Sequence, residues 1–366
     1  MTGGDSAPGA APLALGLLAR CTFPPPGAEL TCAVSGGADS LALLVLATHA
    51  GCEVTAVHVD HGIRPGSAAE ADLVAAAAER VGARFSSARV VVAPGPNLEA
   101  RARAARFTVL PHGVATGHTM DDQAETVLCN LLRGTGPDGV AGMRAGHEHP
   151  ILGLRRSDTR AVCREAGLEW FEDPTNTDPA QLRNRVRHEL LPLCAAMASR
   201  DPVPLLARFA ALEAQDSTYL ADLSLLAVPD PSDASALVRA PAPLAARAVR
   251  RWLRAVGATP SSGGRHVPTP GADRQPPSLA DVQRVLGVAA GDAVATQVAG
   301  GWRIRRSRGR LVAVPPSAPP SAPPSAPPSV PPSVPPSIPT GDPEAPVADR
   351  ADPPTALTGD PLVGPR

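Results

Sequence analysis

No lysine occurs anywhere in this 366-residue chain, so all 34 of its basic residues are arginine. The absence excludes any mechanism that needs an enzyme lysine, whether as a Schiff base, an adenylyl carrier or the phosphate ligand of a Walker loop. Biased base composition of the gene is explanation enough, and the exclusion holds whatever the cause. Cysteine is sparse and dispersed: Cys21, Cys32, Cys52, Cys129, Cys163 and Cys194 include no C-x-x-C pair. That spacing argues against a zinc ribbon or a local disulfide framework and fits a reducing cytosol, so a cytoplasmic location is expected. No apolar run is long enough to span a bilayer, and Leu13 to Leu18 is short and lacks a basic lead-in, so neither a membrane span nor a signal peptide is read. A net charge of -1 and a pI near 6.8 announce no nucleic-acid binder on average, which leaves local arginine clusters to carry any such surface.

From about residue 28 to 135, short β-branched runs alternate with longer alanine-rich segments, the pattern of repeated βα units around a parallel sheet. Strands are read near Leu30 to Val34, Val54 to Val59, Phe85 to Val92 and Val114 to Gly117. Helices start near Asp39, Ala69, Leu98 and Asp121. The expected fold is α/β, a doubly wound parallel sheet, whose ligands bind beyond the carboxyl ends of its strands. An N-terminal segment, 1–27, precedes this catalytic domain, 28–199, which ends in a helix-like run from Leu182 to Met197. A small, mainly helical substrate domain, 200–314, follows, with a Gly/Pro/Ser-rich flexible insertion at 259–277 and an arginine-rich strand candidate after Gly300-Gly301. The Pro-Pro-Ser-Xaa repeats of 315–366 cannot bury a core and are read as a disordered, extended tail.

Ser35-Gly36-Gly37-Ala38-Asp39-Ser40 sits between the first strand and a helix. Glycines there let backbone approach a ligand, and the free amides and dipole of the helix start favour phosphate. Ser35 and Ser40 add hydroxyls, and Asp39 is a candidate Mg2+ ligand. Such a string recurs by chance in on the order of one window per million. A bare glycine turn capped by Asp39 and Ser40 is the plain alternative. His118, Asp122 and Glu125 are spaced by four and three. If a helix starts near Asp121, the two acids share a face with the histidine at its mouth, a cluster suited to Mg2+ or to proton transfer. Thr119 to Asp122 reads equally as a capping box. Arg183, Arg185 and Arg187 alternate by two and share a face only in a strand; on a helix they spread around it. Arg303, Arg305, Arg306, Arg308 and Arg310 form a second basic cluster, a candidate RNA backbone contact beside Trp302.

The glycine loop resembles the pyrophosphate loop of the N-type ATP pyrophosphatases, which split ATP into AMP and pyrophosphate. Further segments choose within that superfamily. His58-Val59-Asp60-His61-Gly62-Ile63-Arg64, the arginines of 101–106, Thr116 to Gly136, Trp170 to Asn176 and Arg183 to Arg187 with Leu191-Pro192 resemble, in order, motifs of the tRNA(Ile)-lysidine synthetases. The resemblance covers roughly 28–195. It implies ATP held by Ser35 to Ser40 with Mg2+ at Asp39 and Asp122, and catalysis by Asp39, His118, Asp122 and Glu125. Asp60, His61, Arg64, Arg103, Arg106, Arg183, Arg185 and Arg187 are its substrate-binding candidates, the last three toward ATP or RNA. The implied reaction adenylates the wobble cytidine of a tRNA(Ile) with a CAU anticodon and then couples free L-lysine to it. Asp122 or Glu125 is a candidate to bind the lysine ammonium and accept its proton. Where many relatives carry a histidine pair before the Asp-Asp step, this chain has Gly117-His118, a single imidazole, and the C-terminal extension of long members is missing or reduced to 279–314. A tRNA thiolase is the rival enzyme, and a catalytically inactive RNA-binding homologue the rival of another class. Oligomeric state is left open, with a homodimer as one option.

Overall fold

A computed structural model describes residues 12–60, 67–90, 101, 105, 108–172, 178–258 and 277–316. The first half is a four-stranded parallel sheet built from β1 (Glu29–Ala33), β2 (Glu53–Asp60), β3 (Arg84–Arg89) and β4 (Ala115–Thr116), in the order β3-β2-β1-β4. β1 pairs with β2 on one side and with β4 on the other, and Ala33 lies opposite Val57 and Thr116. Strand order therefore reverses at β1, and the crevice beyond the carboxyl ends of β1 and β4 is the switch point where doubly wound sheets bind ligands.

Helices α1 (Pro12–Leu17), α2 (Ala38–His49) and α3 (Ser67–Val81) flank this sheet. Residues Ser40 to Ala47 of α2 are all buried. A helix with apolar side chains all round must be covered all round, and α2 packs against α1, α3, β1, β2 and α6 (Arg156–Glu165). That burial fixes the start of α2, and with it the glycine loop, against the rest of the core.

After β4 come α4 (Met120–Leu132), the short α5 (Pro137–Val140) and α6. The run expected from Leu182 to Met197 is α7 (Leu182–Arg185), a π turn over Val186–Leu190 and α8 (Leu191–Ala198). Pro192 lacks the amide that would bond back four residues, and the Leu191 amide reaches five back to the Val186 carbonyl, so the π turn widens the helix where proline interrupts its ladder.

The 25-residue α9 (Val203–Ala227) packs against α4 and α5 and against α11 (Ala242–Ala258). A second core gathers Val228, just past α9, with Leu237, Val249, Val282, Val285, Val288 and Ile304 from α10 (Ala234–Arg239), α11, α12 (Leu279–Ala290) and a small sheet. The arginine-rich strand candidate is the middle strand of that antiparallel sheet: β6 (Arg303–Ser307) lies between β5 (Ala295–Gln297) and β7 (Arg310–Val314). Ile304 is buried while Arg303 and Arg305 on either side are exposed. The helix expected near Leu98 falls almost wholly outside the described residues, as do nearly all of the 259–277 insertion and of the tail.

Candidate active site

The glycine loop is braced from within. Gly36 has φ +83, a conformation that L side chains rarely adopt. Ser40 Oγ donates to the Gly37 carbonyl (2.9 Å) and accepts from the Ser35 amide (3.1 Å), and the Phe171 amide closes on the Gly36 carbonyl (2.9 Å). Ser40 thus spends its proton shaping the loop. Ala38 and Asp39 begin α2, and the first amides of a helix have no helical acceptor, the property that suits a phosphate.

Gly117 explains how β4 reaches this loop. A Cβ at that position would lie 2.7 Å from the Asp39 carbonyl oxygen and 2.9 Å from Ser40 Cα, so only glycine lets the end of β4 touch the first turn of α2. The adjacent His118 is thereby held beside the loop.

Asp122 serves both roles that its sequence suggests. Its Oδ2 accepts from the Thr119 amide (2.9 Å) and hydroxyl (2.7 Å), completing a capping box on α4. Its Oδ1 faces the other way, toward Arg156 (2.6 Å) and Arg183 (2.9 Å). Glu125, with a side chain 0% exposed, takes Arg156 and Arg187 on Oε1, both at 2.7 Å, and Arg183 at 2.8 Å on Oε2. Arg156 also lies 3.7 Å from Asp39. Three guanidiniums, Arg156, Arg183 and Arg187, therefore interleave with three carboxylates, Asp39, Asp122 and Glu125, and their charges balance.

The basic trio separates. Because α7 and the π turn are helical, Arg183 and Arg187 fall on one face and both enter the cage, whereas Arg185 turns outward to Glu189 at 3.4 Å. Asp60, at the carboxyl end of β2, lies 3.7 Å from Arg89. His58 is buried and braces the strand leading into the loop through Nδ1 and the Val34 carbonyl (2.9 Å). His61, Arg64, Arg103 and Arg106 lie outside the described residues.

Electrostatics divide the acids. Burial pushes the Asp39 carboxyl up to about 6, with the nearby charges of Asp122 and Asp121 adding to it, against a Thr159 hydroxyl bond and Arg156 that pull it down. Burial also opposes ionisation of Asp122 and Glu125, yet the arginines outweigh it and hold both carboxyls below the usual range. Asp122 and Glu125 are thus charged at neutral pH and weak as bases, and proton acceptance by either, expected from sequence, is disfavoured by this environment. Asp39, whose guanidinium neighbour Arg156 stands at 3.7 Å and is shared with Asp122 and Glu125, fits a divalent cation. Among the described residues no three His, Cys, Asp or Glu side chains are arranged to hold a metal, so a cation at Asp39 would complete its shell with phosphate oxygens and water, as Mg2+ does. At Asp122 a cation would have to displace a guanidinium.

Arg155 and Arg156 escape a reading by motif. Their sequence signal is a cation pair at the start of α6, the end of a helix where positive charge is unfavourable. The structure shows the compensation. Arg155 forks onto Asp121 at 3.0 Å through both Nε and Nη2 and also pairs with Asp201 ahead of α9, while Arg156 enters the cage. His149 is a second addition: its ring meets His118 edge-on with centroids 5.0 Å apart, so the single imidazole of Gly117-His118 has a partner from elsewhere in the chain. Cys32 and Cys163 offer no ready thiolate, since burial pushes both thiols up to about 12.

Residues 18–194 match the PP-loop domain family. The chain is 41% identical over 247 residues to a tRNA(Ile)-lysidine synthase from Rhodococcus erythropolis, covering 64% of this chain and 76% of that protein. It is 42% identical over 250 residues to one from Nocardia farcinica, covering 64% of this chain and 78% of the relative. A solved U34-tRNA thiolase from Methanococcus maripaludis shares 16% identity at a TM-score of 0.39, over 52% of this chain and 72% of that one.

Proposed function

Since the chain belongs to the tRNA(Ile)-lysidine synthase family, we propose that it joins free L-lysine to C2 of the wobble cytidine in the CAU anticodon of tRNA(Ile), at the expense of ATP. The observation that carries this reading is the adjacency of a phosphate-suited loop and a cage of ionised acids, joined by Arg156.

The chemistry has two steps. The cytidine C2 oxygen attacks the α-phosphorus of ATP, forming an O–P bond as the bond to the leaving pyrophosphate breaks. The lysine ε-amine then attacks C2, and the oxygen departs with AMP. Adenylation is needed because a carbonyl oxygen leaves poorly and AMP leaves well. The loop amides and Ser35 bind phosphate; Arg156, Arg183 and Arg187 are the cations within reach of charge developing there. Mg2+, when bound at Asp39, supplies charge neutralisation of the phosphates. An ε-amine with pKa near 10.4 costs roughly 4 to 5 kcal/mol to deprotonate at pH 7. Asp122 and Glu125, held ionised, attract the ammonium; His118 is the candidate to handle its proton. The two acids exchange guanidinium for ammonium as lysine arrives. The substrates meet in the cytoplasm, where we place the protein. No helix among the described residues is long and apolar enough to cross a membrane.

The test supplies ATP, Mg2+, labelled lysine and tRNA transcripts to the purified protein. AMP is expected only when lysine and a CAU-anticodon transcript are both present, with label entering the RNA. AMP release that ignores lysine, or RNA that stays unlabelled, rejects the reading.

A further inference from the structure

The Thr116 hydroxyl, at the carboxyl end of β4, has three polar neighbours: the Glu148 carbonyl oxygen at 2.9 Å, His118 Nδ1 at 2.7 Å and His149 Nδ1 at 2.8 Å. A carbonyl oxygen only accepts, and a hydroxyl has one proton and two lone pairs. All three contacts are hydrogen bonds in a single arrangement: the hydroxyl donates to Glu148, and both rings donate their Nδ1–H to the hydroxyl. Each neutral imidazole is then the Nδ1–H tautomer, and its basic lone pair is on Nε2. The rings also meet at 84°, so His149 walls one side of His118 as well as sharing its anchor.

The location gives this lock its use. His118 follows Gly117, which touches the first turn of α2, and precedes Thr119, which caps α4 and bonds Asp122. We propose that Thr116 and His149 are positioning residues that fix the tautomer and orientation of His118, making its Nε2 a hydrogen-bond acceptor for an N–H group of the substrates. The proposal rests on the ligase reading above. An accepting Nε2 cannot donate to a phosphate oxygen while the ring is neutral, so the partner of His118 is a hydrogen-bond donor. At the reacting bonds two groups carry an N–H: the cytosine, through its exocyclic amine, and the attacking lysine.

Nitrogen-15 imidazole spectra of the full chain near pH 8 test the lock without reference to activity. His118, assigned by comparison with His118→Gln, is expected as the Nδ1–H tautomer, and Thr116→Val is expected to abolish that preference. His149→Phe keeps a ring but loses the donor, and is expected to lower turnover roughly 10- to 100-fold while KM for ATP moves less than about twofold. His149→Asn returns an N–H near the Nδ1 position and is expected to recover most of the loss. Single-turnover arms separate the two sources. A slower pyrophosphate burst on tRNA without lysine identifies the cytosine amine, whereas slowing confined to the lysine-dependent step identifies the attacking amine. A wild-type His118 found as the Nε2–H tautomer overturns the proposal, and so does a His149→Phe protein with unchanged turnover and tautomer. If lysine-dependent AMP release is absent from the wild type, the ligase reading falls instead, and the spectra still decide the lock.

Discussion

Arg156 and Glu125 are held 2.7 Å apart although 31 positions separate them, and the same guanidinium reaches Asp122 at 2.6 Å. The pair ties α6 to α4 beneath the phosphate loop. Glu125 has no exposed side-chain surface and three arginines around it, so removing its charge leaves half-buried guanidiniums undercompensated. Such a loss costs about 3 to 5 kcal/mol. Glu125→Gln is therefore expected to unfold at distinctly lower urea concentration at pH 7. The folded carboxyl lies below its ordinary 4.5, because Arg187 and Arg156 outweigh burial, so its stabilisation is present above pH 4.5 and fades as pH falls through the depressed value. Paired urea curves should converge in acid; a gap that is constant down to pH 3 would contradict this.

Asp39 has the opposite sign. Its folded pKa of about 6 exceeds the ordinary 3.8, so the folded protein binds that proton more tightly than the unfolded chain does. The ionised group costs stability fully above pH 6, and the cost is relieved between about pH 6 and 4. Asp39→Asn is expected to be more stable than wild type at pH 8, by at most about 3 kcal/mol and less after screening by solvent. The gain should vanish near pH 4, and AMP formation should fall by more than about 100-fold at every pH. Thermal melts across that range, alongside the AMP assay, check both halves; a variant that is less stable at pH 8 refutes the assignment of strain to Asp39.

What the sequence revealed here is what is local. The loop of Ser35 to Ser40 is contiguous, and the pairing of Asp122 with Glu125 follows from helical spacing, so both are visible without coordinates. Arg156 joins them only through the packing of α6 on α2, which no periodicity records; its one trace is a pair of arginines at the unfavourable end of a helix. His149 reaches His118 from a turn closed by the Gly146 to His149 bridge. Arg183 and Arg187 were obscured because alternation by two suggests a strand, whereas the π turn near Pro192 keeps the segment helical with those two on one face.

That separation of the arginines is itself testable. Arg185 is exposed and pairs only weakly with Glu189, an arrangement worth under about 1 kcal/mol. Arg185→Ala is expected to leave turnover within about twofold of wild type. Arg187→Ala, which takes a guanidinium from Glu125, is expected to lower it by at least about 100-fold. Steady-state kinetics on the two variants compare them directly, and equal losses would mean that the outward arginine also serves the reaction.

The occupancy of the cage leads to a prediction about the order of binding. Oδ1 of Asp122 and both oxygens of Glu125 carry guanidiniums, so a lysine ammonium reaches those acids only as arginines give way. A polyphosphate at the adjacent loop offers the arginines an anion that they bind in a fork as readily as a carboxylate. ATP should therefore loosen the cage and open the acids to lysine. Calorimetric titration of lysine is expected to show at least about tenfold tighter binding with a non-hydrolysable ATP analogue present, a coupling of roughly 1.4 kcal/mol. Linkage requires lysine to tighten the analogue by the same factor, so titration in both orders is an internal check. Lysine affinity that is indifferent to the analogue would mean that the ammonium binds without displacing Arg156, Arg183 or Arg187.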